Sequence, residues 1–223
     1  MFKILGTIII TDLKTILRDA FSWLSPLLFF MMIITLYPLT LGPALNTLQT
    51  FIPSILWIAV LLAILLSMNH LFRVEKEEGL LELFILSQIP LTLLILCKLI
   101  SHWLTHCLPL IILCPLLGLL FNLSAFQEFT LIFSLLLGTP TLVLIGGIGA
   151  ALVVSIRGHG LLLPILIIPL YIPILIFGTN TLIAANTHQP FLGFFAIMGA
   201  LLLLSLSVSP YMTSLALRMG VNQ

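Results

Sequence analysis

His102 and His106 stand one helical turn apart, beside Trp103, inside a long apolar run. Two imidazoles at i and i+4 project from one helix face, which is the spacing of a shared metal or haem ligand set. The same spacing also serves rings that only bond across helices to a Ser, a Thr or a backbone group. Cys97, Cys107 and Cys114 share this run without a CxxC pair, so no zinc site or disulfide framework follows, and buried apolar thiols are the simpler reading. A second set is acidic. Glu75, Glu78 and Glu82 fall on one face of a helical wheel, while Arg73 and Glu77 pair at i,i+4 on a face that continues into Leu80, Leu81 and Phe84. Such an acidic face can be read by a partner. The chain has no Gly-Lys-Ser/Thr phosphate loop, no HExxH and no Gly-x-Ser-x-Gly, so hydrolysis of nucleotides or peptides has no residues to stand on.

The acidic set lies in the one stretch where charge is concentrated. Residues 72–90 hold Arg73, Glu75, Lys76, Glu77, Glu78 and Glu82, six of the fifteen formal charges, between apolar runs that are long enough to cross a bilayer. A solvated loop needs charge only to stay in water. This one returns to an apolar face before Pro90 and carries Gly79 in its middle, where glycine costs about 1 kcal/mol relative to alanine in a helix. A bent docking element is the expectation.

Composition sets the class. With 61% hydrophobic and 7% charged residues in 223, and a mean hydropathy of +1.32, the apolar side chains exceed what one soluble core can hide, and lipid must cover them. The net charge of +1 is spread over short loops, with no basic patch for nucleic acid.

Residues 1–20 come first. Lys3, Thr7, Thr11, Lys14 and Arg18 recur every three or four residues, with Phe2, Ile9, Leu13, Ile16 and Leu17 between them, the pattern of an amphipathic helix on a membrane surface. Asp12 and Lys14 interrupt what would be the apolar core of a signal peptide, so the segment is expected to stay on the protein. Six spans are then predicted at Phe21–Leu41, Phe51–Phe72, Leu91 to about Leu120, Phe129–Ile156, Leu161–Gly178 and Phe191–Leu217, each near the roughly 20 residues a bilayer needs. The third is too long to be straight, and Pro109 and Pro115 are expected to bend it. In a six-span arrangement all eight basic residues fall on one side, so both termini and residues 73–86 are expected in the cytoplasm. Trp23, Tyr37 and Trp57 stand near predicted ends as aromatic anchors. The fold class is therefore all-α: a polytopic membrane protein of one domain, residues 1–223, with a surface helix and six transmembrane helices.

None of the seven acidic residues sits inside a predicted span, which disfavours an ion-coupled carrier. Gly138-Thr-Pro140-Thr and Gly146, Gly147 and Gly149 mark the fourth span; Pro164, Pro169 and Pro173 mark the fifth. Proline frees backbone carbonyls that lipid cannot satisfy, so these stretches are expected to face protein, as close packing or as a translocation path.

Several motifs in order now resemble a known family. They are Leu36-Tyr-Pro-Leu39, Leu71-Phe-Arg73 with Glu78-Gly79 and Leu81-Glu82, Lys98 ahead of His102-Trp103, Leu137-Gly-Thr-Pro-Thr-Leu142, and the proline-spaced fifth span. Over essentially the whole length they look like the heme exporter protein B (CcmB) family, membrane subunits of the cytochrome c maturation ABC transporter. The resemblance implies an ABC-2-type permease that pairs with a second copy of itself and with two copies of a cytoplasmic ATPase, which would hold the ATP and magnesium. It also implies a haem-handling membrane subunit and a periplasmic haem chaperone as partners, haem as a handled ligand rather than a firmly bound cofactor, and no catalytic residue or metal site in this chain. The segment Arg73–Leu86 would then act as the coupling helix, with Arg73, Glu75, Glu77, Glu78 and Glu82 at the ATPase interface. The location implied is the bacterial inner membrane, or alternatively the mitochondrial inner membrane. Two other classes stay open from the residues alone: an ATP-independent carrier or channel, and a haem- or metal-binding membrane protein built on His102 and His106.

Overall fold

Long runs of Leu, Ile, Val and Phe leave a backbone in lipid one local solution, a helix that satisfies its own N–H and C=O groups. The computed structural model describes residues 6–7, 9–14, 20–41, 45–86, 89–154, 162–187 and 189–221. Among them six helical stretches are long and apolar enough to cross a membrane: Trp23–Thr40, Phe51–Glu77, Leu91–Leu120, Ala125–Val154, Leu162–Asn186 and Leu192–Met219. The chain is an all-α polytopic membrane protein. Its helices are α1 (Ala20–Leu41), α2 (Leu45–Met68), α3 (Arg73–Glu77), α4 (Leu80–Leu86), α5 (Leu91–His102), α6 (Leu108–Ile112), α7 (Cys114–Leu120), α8 (Ala125–Val154), α9 (Leu162–Asn186) and α10 (Leu192–Val221). Spans one, two, four, five and six are α1, α2, α8, α9 and α10, and span three is α5 to α7.

Span three is broken as its prolines require. Between α5 and α6 runs a π-helical turn, Trp103–Cys107, where the Leu108 N–H reaches back to the Trp103 carbonyl. Pro109 follows at the start of α6 and Pro115 at the start of α7, positions that tolerate a missing N–H. The wider π turn makes room for a ring that would otherwise press on the preceding turn.

Span four begins with a reciprocal capping box: the Gln127 N–H donates to Ser124 Oγ at 3.3 Å, and the Ser124 N–H to Gln127 Oε1 at 2.8 Å. Its glycines admit side chains from the other spans. A Cβ at Gly138 would lie 2.3 Å from the Trp57 ring, at Gly146 2.4 Å from the Tyr171 hydroxyl, at Gly147 2.6 Å from Leu99 and at Gly149 2.4 Å from Ile167. Polar contacts follow the same axis. Tyr171 donates to the Leu142 carbonyl at 2.8 Å and Trp103 Nε1 to Thr139 Oγ1 at 2.9 Å, while Ser209 donates to the Leu144 carbonyl. Spans two and four are thus the most buried, and spans one and six the least.

Four expectations change. Trp57 is no interfacial anchor: it is fully buried, wedged between Gly138 of span four and Gly178 of span five, where a Cβ at Gly178 would meet its ring at 2.2 Å. Trp23 and Tyr37 are half-buried. Span five runs past Gly178 to Asn186, because Asn180 and Thr181 bond to the carbonyls of Ile176 and Phe177 and so stay helical despite their polarity. Helix α2 starts at Leu45, inside the stretch read as a loop. Pro169 and Pro173 lie four residues apart on the exposed side of span five, opposite buried Ile167, Tyr171 and Ile174, so within this chain they do not face protein; Pro140 is half-buried in span four.

Residues 9–14 are helical, with Ile9 and Leu13 half-buried and Thr11 and Lys14 exposed, as the amphipathic pattern requires. Phe2, Lys3, Ile16, Leu17, Arg18 and Arg157 lie outside the described residues.

Candidate functional site

Phe72 and Leu71 close span two against the core, and the charged segment then turns along one end of the bundle. It is two short helices, α3 and α4, with Gly79 at the bend in a left-handed conformation, φ 71°. That is why the segment needs glycine there. The expected pair forms, with Arg73 Nε donating to Glu77 Oε1 at 2.8 Å, and both side chains are more than half exposed at 64% and 62%. Glu78 and Glu82 are exposed as well, while Leu81, at 6%, holds α4 to the core.

Glu75 departs from the expected face. Its side chain is only 12% exposed and forms a tight ion pair with Lys98 of span three. The helical wheel grouped it with Glu78 and Glu82 by spacing alone, whereas Lys98, 23 residues on in span three, draws Glu75 inward. Lys98 also lies 3.6 Å from Asp12 Oδ1 of the N-terminal helix. Beside it, Lys76 Nζ donates to the carbonyl of Val154, the last residue of span four. A cation at a helix C-terminus meets both an unbonded carbonyl and the negative end of the helix dipole.

These contacts gather Asp12, residues 71–86, Lys98 and the end of span four at one end of the bundle. Chain direction brings Arg218, in the last turn of α10, to the same end, and α10 touches α4 there. Lys14, Arg73, Lys76, Lys98 and Arg218, five of the eight basic residues, are therefore together; Lys3, Arg18 and Arg157 are outside the described residues.

His102 and His106 are buried, at 3% and 5%. Their rings stack with centroids 4.1 Å apart and planes 19° from parallel, so faces rather than nitrogens converge. His102 Nε2 lies 3.0 Å from Ser67 Oγ of span two. The Ser67 hydroxyl is 2.7 Å from the Ile64 carbonyl; with its proton placed there, the bridge runs from Nε2–H to Oγ. His106 Nδ1 is 2.9 Å from Thr105 Oγ1 and 3.2 Å from the His102 carbonyl. The structure thus builds a bridge between spans two and three around the π turn. Among the described residues no group of three or more His, Cys, Asp or Glu gathers where a metal ion would sit.

Sequence reasoning missed Lys98 and Asp12 as partners. A signal existed: Lys98 stands eight residues inside an apolar run that starts after Pro90, and a lysine there calls for a carboxylate.

The CcmB protein family model matches residues 3–220. Heme exporter protein B of Pseudomonas aeruginosa is 40% identical over 223 residues, covering 100% of both chains. Heme exporter protein B of Haemophilus influenzae is 42% identical over 215 residues, 96% of this chain and 97% of that one. The protein of the same name from Escherichia coli K12 is 41% identical over 211 residues, 95% and 96% of the two chains. With a family model spanning nearly every residue and relatives this similar end to end, the chain belongs to the CcmB family.

Proposed function

We propose that this chain is the membrane permease subunit of an ABC-type haem exporter that serves cytochrome c maturation in the bacterial inner membrane. The observation that carries the reading is the bihelical segment Arg73–Leu86, with Arg73, Glu77, Glu78 and Glu82 exposed. It hangs from the end of the bundle where the basic residues gather, in a chain that aligns end to end with proteins named heme exporter protein B. A cytoplasmic ATPase, in two copies on a permease dimer, would supply the ATP and magnesium chemistry, and this chain would convert closure of that ATPase into movement of its spans. Such conversion needs contacts that differ between the two ATPase states. Arg73, Glu77, Glu78 and Glu82 are the side chains the segment presents for those contacts, and Glu75 serves inside.

Two further partners fit, a haem-handling membrane subunit and a periplasmic haem chaperone. Release of the haem-loaded chaperone suits this chain better than carriage of haem along a path through it, because His102 is already engaged in bridging to Ser67 of span two and His106 stacks on it.

The test is replacement of Glu77, Glu78 and Glu82 together by Ala in cells that express the whole system. The expected result is normal amounts of the chain in the membrane, loss of the ATPase on purification and loss of mature cytochrome c. Unchanged ATPase recovery and unchanged maturation would return the segment to a solvated loop.

A further inference from the structure

We propose that Lys98 is the positioning residue through which the docking segment moves the bundle: one ammonium joins helix α3, at Glu75, and the surface helix, at Asp12, to span three. This rests on the reading that an ATPase acts on the segment. The three side chains come from three separate parts of the sequence and are only 13%, 12% and 21% exposed, in the order Lys98, Glu75, Asp12. One cation serves two carboxylates, and among the described residues Glu75 Oε2 and Asp12 Oδ2 are buried without a hydrogen-bond partner. Lys98 therefore carries the compensation for both anions, and removing it strands buried charge.

Helix α3 has five residues, too few to hold its own shape, so its contacts decide where it sits. Those contacts point to two spans. Glu75 grips Lys98 in span three, and Lys76, the next residue, grips the Val154 carbonyl at the end of span four. The outward face, Arg73, Glu77 and Glu78, is left for a partner. A displacement of that face is thus delivered to spans three and four at once. Within span three, Lys98, His102 and His106 follow at successive helical turns, which leads the movement toward the Ser67 bridge and the π turn at Trp103–Cys107. Charge at position 98 therefore matters in a way that packing alone does not explain, and reversing the pair with Asp12 made neutral should preserve it.

The test compares wild type with Lys98→Met, Lys98→Glu, Glu75→Lys and the swap Glu75→Lys with Lys98→Glu, made together with Asp12→Asn so that the new carboxylate meets no like charge. In the purified subunit, amide hydrogen exchange of residues 74–79 is expected to be about tenfold faster in Lys98→Met, as for a segment that has lost its tether. In the full system, both Lys98 variants are expected to keep the ATPase within about twofold but to lose about tenfold or more in cytochrome c matured per ATPase recovered. The swap should regain about a third or more of wild type. Unchanged exchange, maturation by Lys98→Met within about twofold of wild type, or a swap no better than Lys98→Glu would each overturn the proposal. If Lys98→Glu does not accumulate, Lys98→Met and the exchange measurement decide. A wild-type preparation that never retains an ATPase would sink the functional reading instead, and the exchange measurement would still judge the tether.

Discussion

Lys98, His102 and His106 occupy one face of span three, yet they do different work. The lysine sits at the end of the bundle and holds two carboxylates. Of the two buried histidines, His102 bridges to Ser67 of span two and His106 stacks on it. If their task is to bridge helices, glutamine at both positions can still donate and accept a hydrogen bond, at a cost of about 0.6 to 2 kcal/mol per lost contact. The double variant His102→Gln, His106→Gln is expected to accumulate normally and to keep most cytochrome c maturation, and the isolated wild-type subunit should hold no stoichiometric haem. Absorbance of the purified proteins checks this. A Soret band in wild type that vanishes in the variant would restore the pair as a ligand set and reopen direct haem transport. Trp57 teaches the complementary lesson at this scale: its position near a span end suggested an anchor, but the space for its ring is made by Gly138 and Gly178, which are distant in sequence.

Among the elements, the docking segment depends most on a single backbone conformation. Gly79 has φ 71°, and a Cβ there would meet nothing within 4 Å, so the backbone alone resists a side chain. A left-handed conformation costs a non-glycine residue about 1 to 2 kcal/mol, less for asparagine and more for a β-branched side chain. The ATPase recovered with the permease should therefore fall in the order Gly, Asn, Ala, Val at position 79, with membrane levels unchanged. Equal recovery across the series would show that the bend is not used in docking. The bend was legible from a glycine in the middle of a charged helical pattern. The inward turn of Glu75 was not, because its partner Lys98 lies 23 residues away and a helical wheel of the segment alone does not say which face meets the bundle.

At the scale of the whole molecule, span four starts at its capping box and ends beside Lys76, so the charged cluster and the capping box lie at opposite ends of the bundle. Span four alone, 30 residues long, extends about 45 Å, more than the roughly 30 Å hydrocarbon core, and so exceeds the apolar slab at ordinary tilts. On the basic end being cytoplasmic, a cysteine at position 77, in a background lacking Cys97, Cys107 and Cys114, should react with an impermeant thiol reagent only from the cytoplasmic side. A cysteine at position 189, in the turn between spans five and six, should react only from the periplasmic side. Labelling of position 77 from the periplasm would refute the orientation. Both positions are exposed, so access to the reagent is decided by the membrane.

What this sequence determined by itself is what depends on local physics. Apolar runs that must become helices in lipid produced six spans. The prolines of span three produced its breaks, and Gly79 in the middle of the charged stretch produced the bend between two short helices. The short-range pair Arg73–Glu77 followed from i,i+4 spacing. Tertiary structure alone decided the rest: that Lys98 pairs with Glu75 and Asp12, that Lys76 caps span four, that Trp57 is buried, and that Pro169 and Pro173 face outward. In spans where apolar side chains predominate on every face, hydrophobic pattern does not say which face of a helix meets lipid and which meets another helix. That choice is made by shape and by the few polar groups, through glycine gaps that fit one ring and a lysine that finds its carboxylates from two other segments of the chain.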